Sequence, residues 1–143
     1  SYGLVLNTPS AFKIKDLGVA KNQPQWENFL SIFGDNPAYI GGPTQAGRFF
    51  LLHPHSQLPG ATKVAENLYL SCNKMEDAIE LVKMENIEPQ SFKFILGNSS
   101  WGTKQLEGEL RQHSWILCRG EAISQLASLN YNDYLNSVAA ADE

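Results

Sequence analysis

Arg48-Phe49-Phe50-Leu51-Leu52-His53 is the stretch that decides the fold. Four large apolar side chains in succession cannot alternate between core and water as a half-buried strand does, so the run reads as a strand covered on both faces. Just upstream, Ala38-Tyr39-Ile40 is a short β-prone segment that runs into Gly41-Gly42-Pro43. The glycines permit positive φ and the proline fixes a turn, so the two strands are expected to pair through it. Downstream, residues 54–61 read as a surface loop, and Leu68-Tyr69-Leu70-Ser71-Cys72 reads as another strand.

Working outward, Tyr2-Gly3-Leu4-Val5-Leu6 is short, apolar and stopped by Asn7-Thr8-Pro9, as a buried strand would be. Pro24 opens a helix whose Trp26, Phe29, Leu30 and Phe33 share one face before Gly34 ends it. A second helix is expected over Lys74–Glu85, with Asn73 as its N-cap, Glu76 at the third position, and Met75, Ala78, Ile79 and Val82 forming the inward stripe. Phe92–Leu96 reads as a strand, and Gly97-Asn98-Ser99-Ser100-Trp101-Gly102 as a small-residue corner. A helix of about ten residues then starts at Thr103, with Leu106 and Leu110 inward and Glu107 and Arg111 as an exposed pair. Ser114–Cys118 is expected to be the last strand, followed by short amphipathic helices around Ile123–Ala127 and Tyr131–Val138. Strands and helices interleave without a strict βαβ period and without an internal repeat. The expected fold is therefore α+β, a single-domain mixed β-sheet sandwich with several flanking helices, occupying residues 1–143.

Composition narrows the function classes. In 143 residues, 43% are hydrophobic and 18% are charged, which suits a globular domain and neither a disordered chain nor a coiled coil. Fifteen acidic residues against eleven basic ones give a net charge of −4, which repels a phosphate backbone, so no nucleic-acid partner is expected. No apolar run approaches the roughly 18 residues that cross a bilayer, so no membrane span is expected. Cys72 and Cys118 have no CxxC spacing and read as small hydrophobes in a reducing compartment.

The reactive residue types do not assemble into a known device. His53 and His55 are two apart, so on an extended backbone both imidazoles face one side, but no third donor has metal spacing and structural histidines are the preferred reading. Glu107 and Glu109 diverge by about 200° around a helix and are no convergent carboxylate pair for acid-base work with His113. Ser99 and Ser100 sit where hydrolases place a nucleophile, yet the flanks lack Gly-x-Ser-x-Gly. The amides of Gly102–Gln105 offer an anion a place at a helix start. No phosphate-binding glycine motif is present, and neither a metal nor a cofactor is expected.

The order of several motifs resembles the YqgE/AlgH family. The matching pieces are Gly3-Leu4-Val5-Leu6-Asn7, Gly41-Gly42-Pro43, Phe50-Leu51-Leu52-His53-Pro54, Trp101-Gly102 with Gln105-Leu106-Glu107 and Glu109, and Trp115. The stretch containing Ala78, Val82, Pro89, Phe92-Lys93-Phe94, Gly97, Trp101, Gln105-Leu106 and Trp115 is most similar to the plant and algal plastid branch, which implies a chloroplast protein, on the stromal side; outside a plastid a cytoplasmic one is implied. Family members carry a further segment with a strand ahead of the Gly-Leu-Val run, and its absence here would leave Tyr2–Leu6 with an edge that another chain could pair. In the family's corner an aromatic and a glycine stand where this chain has Asn98 and Ser100, and a glycine where it has Lys104. The resemblance carries no catalytic residues. It implies a non-enzymatic interaction or accessory subunit in a plastid, with other protein subunits of a thylakoid complex as partners. The alternative is a small-molecule or anion-binding regulator, bacterial members being described as candidate transcriptional regulators. Its site would lie among Gly41, Gly42, Arg48, His53, Ser100, Trp101 and Gln105.

Overall fold

The computed structural model describes residues 1–17 and 24–117. Seven strands, β1 (Tyr2–Gly3), β2 (Pro9–Lys13), β3 (Pro37–Ile40), β4 (Thr44–His53), β5 (Thr62–Ala65), β6 (Leu68–Cys72) and β7 (Lys93–Ser100), form one sheet in the order β2-β3-β7-β4-β6-β5, with β1 paired to the end of β7. Three α-helices among the described residues accompany them: α1 (Pro24–Phe33), α2 (Met75–Glu85) and α3 (Gln105–Arg111). The β3–β7 pair is parallel and the other pairs are antiparallel, so the sheet is mixed and the fold is α+β, as the interleaved pattern predicts.

The apolar run at 49–52 is divided between two cores by strand alternation. Phe49 and Leu51 point to the face that carries α1 and α2, where they meet Phe29, Phe33, Ala78 and Phe94. Phe50 and Leu52 point to the opposite face, where Leu68 and Ile95 are buried with them and Leu4 and Leu6 pack against the cluster. The helix face is an aromatic assembly. Phe94 stands at 5.6 Å from Phe29, 5.1 Å from Phe33 and 6.3 Å from Phe49 between ring centroids, in mostly edge-on arrangements that aromatic quadrupoles favour.

Several expectations are corrected. β3 and β4 do not pair with each other, because β7 lies between them: Ile40 is registered with Leu96, and Phe49 with the same Leu96 from the other side. The Gly41–Pro43 link therefore crosses the end of β7 instead of closing a hairpin. Two inter-strand spacings of about 4.8 Å leave little slack for a link of three residues, and the link runs directly on the β7 backbone. A Cβ on Gly41 would stand 2.4 Å from the Gly97 carbonyl oxygen, and one on Gly42 2.3 Å from the Asn98 carbonyl carbon.

The strand expected over Tyr2–Leu6 shrinks to Tyr2–Gly3, with Tyr2 and Val5 exposed and only Leu4 and Leu6 turned inward. The segment expected to be a corner is strand as far as Ser100, because Ser99 and Ser100 find backbone partners in Gly3 and Tyr2. Asn73 does not cap α2. It adopts a left-handed φ of 53°, and Lys74 precedes the helix without a side-chain cap. The third helix begins at Gln105 and not at Thr103, after a left-handed Lys104. Ser114–Leu117 is not a strand, and Cys118 and the two C-terminal helices lie outside the described residues. The edge strands β2 and β5 were not anticipated: both are short and mostly exposed, so neither carries a burial pattern that a sequence can show.

Replacing Phe94 by alanine should cost about 3–5 kcal/mol of unfolding free energy in urea titrations, whereas Phe12→Ala, on an edge strand and 55% exposed, should cost less than about 1 kcal/mol. Gly41→Ala should destabilise by several kcal/mol although it adds only one methyl group, because its neighbours are backbone and a buried isoleucine.

Candidate functional site

The candidate residues from the sequence separate along the β4–β7 ladder. At the glycine end, Thr44 pairs with Asn98, and a chain of hydrogen bonds spreads over the sheet. The Thr44 hydroxyl donates to the Asn98 carbonyl at 2.6 Å, and it also contacts the Asn98 side-chain oxygen. Asn98 Nδ2 donates to Gln45 Oε1 at 3.0 Å, and Arg48 Nη1 donates to the same oxygen at 3.2 Å. Ser100 joins through Thr44 at 3.2 Å and Asn98 Oδ1 at 3.3 Å. Arg48 also donates from Nε to Cys72 Sγ at 2.9 Å and lies 5.4 Å from the Phe50 ring centre. Asn98 is thus the hub that links Gly42, Arg48 and Ser100, which the sequence placed in one set without showing the connection.

Trp101 and Gln105 belong to an adjoining cluster built on Glu109. One carboxylate oxygen of Glu109 accepts from Trp101 Nε1 at 3.0 Å and from Trp115 Nε1 at 2.7 Å, and the two indoles meet edge to face at 5.9 Å. These bonds, that from Trp115 first, hold the Glu109 carboxyl below its usual pKa, since they favour the ionised form. The Gly102 N–H donates to Gln105 Oε1 at 2.9 Å in the turn ahead of the short α3. Ser1 and Trp101 exchange backbone hydrogen bonds at 2.9 and 3.2 Å, so the start of the described chain is fixed beside the same indole. Glu109 was read as half of a divergent carboxylate pair, and its role as an indole acceptor was missed. The signal available in the sequence was the presence of two tryptophans eight residues before and six after it.

His53 stands at the other end of the ladder, about 30 Å of strand away at roughly 3.3 Å per residue. It is 1% exposed. The His55 backbone N–H donates to its Nδ1 at 3.1 Å, so that nitrogen carries no proton and Nε2–H donates to the Ser71 hydroxyl at 2.9 Å. The His55 ring stacks on it at 5.8 Å and 12°, and both rings touch Phe92. Ser91 gives its proton to the Glu88 carbonyl and so accepts from His55 Nε2 at 2.7 Å. Both imidazoles do face one region, as the two-residue spacing predicts, but each is engaged with a serine. Among the described residues no third histidine, cysteine or carboxylate joins them in a metal-sized group.

Beside His53 opens a cleft of about 490 Å³. Its walls are Tyr39, Leu52, Leu68 and Phe92, and its polar rim includes Asp35 and Gln90. Lys93 reaches into it with Nζ at 4.0 Å from the centre of the Tyr39 ring, a cation–π distance. Burial pushes the Lys93 ammonium down to about 8. Asn36 is buried and fixes the floor, its amide donating to the carbonyls of Pro89 at 3.0 Å and Phe92 at 3.1 Å. Lys93 was not singled out in the sequence. Its signal was there, since one cation in Phe92-Lys93-Phe94-Ile95 must face away from both phenylalanines.

Burial first, and the neighbouring His55 second, depress the His53 pKa from 6.5 to about 4. The unfolded chain therefore takes up a proton near pH 6.5 that the folded chain refuses until about pH 4. Stability is fully present above pH 6.5 and is lost as pH falls through that window. Between pH 7 and 5 the wild-type chain should lose about 2 kcal/mol more unfolding free energy than a His53→Gln variant, measured by urea unfolding at each pH.

The comparisons with known proteins agree with this architecture. The sequence pattern of the AlgH-like family matches residues 1–140. A UPF0301 protein of Bacteroides thetaiotaomicron is 28% identical over 121 residues, covering 85% of this chain and 57% of the relative. A UPF0301 protein of Pseudomonas fluorescens is 32% identical over 120 residues, covering 84% of this chain and 61% of its own. The chain thus spans about three fifths of the length of these relatives. The solution structure of the AlgH protein from Pseudomonas aeruginosa superposes with a TM-score of 0.66 at 26% identity, over 97% of this chain and 70% of that one. By sequence over nearly its whole length and by fold, the chain belongs to the AlgH-like family.

Proposed function

We propose that this chain is a non-enzymatic accessory subunit that docks on other protein subunits, in a plastid and on the stromal side of a thylakoid complex. One observation carries the docking: Trp115, Ile116 and Leu117 are consecutive, apolar and 49%, 90% and 85% exposed. Exposed apolar residues scattered singly need no explanation, but three in a row form a patch of the kind that protein partners cover. The patch is held to the body by the Glu109 clasp, which bonds the Trp115 indole to the same carboxylate as Trp101. A tethered aromatic loses less side-chain freedom on binding than a loose one, which favours docking.

The polar lattice around Asn98 supports the same reading. Its side chains satisfy one another within the sheet, so they stiffen the end that carries the patch. The plastid assignment rests on the resemblance of residues within Ala78–Trp115 to the plant and algal plastid branch. No helix among the described residues is long and apolar enough to cross a membrane.

In mildly solubilised plastid membranes the tagged chain should migrate on native gels with a larger complex. An Ile116→Ser, Leu117→Ser double variant should lose at least about tenfold of that co-migration while its melting temperature stays within about 2 °C of wild type. A chain found free in every stromal and membrane fraction, or a double variant that co-migrates as wild type does, would refute the reading.

A further inference from the structure

We infer that the hollow between the first half of α1 and the first turn of α2 binds a small neutral carboxamide carried on a flat apolar body. The Trp26 indole N–H and the free amides of α2 donate to its carbonyl, and the Asp77 carboxylate accepts from its NH2 group. This does not depend on the docking reading, because the hollow shares no residue with the Trp115 patch or with the cluster around Glu109.

Volume, open donors and charge define the ligand. The hollow holds about 320 Å³, at the lower end of the roughly 300–1,000 Å³ of small-molecule sites, and is lined by Trp26 and Phe29 from α1 and by residues 73–77 and Ile79 around the start of α2. The two α1 rings meet edge to face at 5.3 Å and 89°, a corner against which a flat ring can lie.

The donors of the hollow lack acceptors. Trp26 is 9% exposed, and among the described residues nothing accepts from its Nε1. Every fully enclosed side-chain donor among those residues has a partner, so the unbonded indole N–H opens on the hollow that its ring lines. The first internal bond of α2 runs from the Ala78 N–H to the Lys74 carbonyl at 3.0 Å, which leaves the N–H groups of Met75, Glu76 and Asp77 without a helical carbonyl. No side chain caps them, and Asn73, the residue type that could, is in the left-handed region with its own N–H on the Phe49 carbonyl at 3.2 Å.

Charge selects a neutral molecule. Glu76 and Asp77 occupy the first turn of α2, where they already complement the positive end of the helix, and Lys74 lines the hollow beside them. An anion would meet two carboxylates against one ammonium. A cation would strip water from the indole and the α2 amides and give them no acceptor. A group that accepts on one atom and donates from its neighbour serves both sets, and a carboxamide does so within a single plane.

The test is calorimetric titration of the full chain at pH 7 with benzamide and nicotinamide, beside benzoate, benzylamine and the donor-free acetophenone. The expected result is saturable binding of at least one amide at about 5 mM or tighter, at least about tenfold weaker binding of benzoate and benzylamine, and at least about threefold weaker binding of acetophenone. In the isotopically labelled chain the Trp26 indole N–H resonance should shift along the same isotherm, while those of Trp101 and Trp115, both bonded to Glu109, stay in place. Trp26→Phe keeps an aromatic wall without the donor and should weaken the amide at least about threefold. Asp77→Asn keeps the shape without the charge and should narrow the preference for benzamide over benzoate at least about threefold. No saturable binding of either amide up to about 20 mM, equal binding of benzamide and benzoate, or a Trp26 resonance that stays in place while an amide binds would overturn the inference. The resonance is read in the wild-type chain, so it decides the matter even where Trp26→Phe fails to fold. The titration contains no partner protein, so its failure leaves the docking reading standing, and loss of co-migration would say nothing against the hollow.

Discussion

The insertion of β7 between β3 and β4 is the constraint on which the rest of the structure depends. It gives β7 a neighbour on each side, β3 and β4, and it places Phe94 and Ile95 in two different cores. The five phenylalanines of the helix face, Phe29, Phe33, Phe49, Phe92 and Phe94, then close over it. Two small residues make this possible, because the link from β3 to β4 must run on the β7 backbone where any side chain at Gly41 or Gly42 would collide. A residue with a Cβ there would force the crossing outward and separate the strands it connects.

The same insertion creates two dissimilar ends. Where β7 leaves the sheet, Asn98 and Ser100 bond to Thr44 and Gln45, and Trp101 turns the chain into α3 under the Glu109 clasp. Where β7 enters, Phe92 and Lys93 flank a cleft whose back wall is the neutral, fully hydrogen-bonded His53. One end is rich in satisfied polar groups and ends in exposed apolar residues, the surface proposed above for docking. The other is concave, with Lys93 set among apolar walls.

The resemblance to the family was visible in short pieces spread along the chain, and its family and fold hold over nearly the whole length. The members of the suggested site fared differently. Gly42, Arg48 and Ser100 meet through Asn98, the residue noted as a departure from the family pattern. Trp101 and Gln105 meet at Glu109, and His53 stands apart from all of them. Lys93 was passed over because strand alternation says only that it faces away from Phe92 and Phe94. Only the neighbour across the sheet decides whether it reaches water or a cavity.

The sequence by itself determined what depends on local pattern. The apolar run at 49–52, the 3.6-residue stripes of α1 and α2 and the alternation at 92–96 required a mixed sheet covered by helices, because each pattern has a single face or pair of faces it can bury. The tertiary structure alone decided which strands are neighbours. Backbone hydrogen bonds are chemically alike for all residues, so nothing in Ala38–Ile40 or Phe49–Leu52 records that β7, fifty residues later, would come between them. That pairing is settled by the global competition to bury Phe94 and Ile95 together, and it is what brings Tyr39, Leu52 and Lys93 around one cleft.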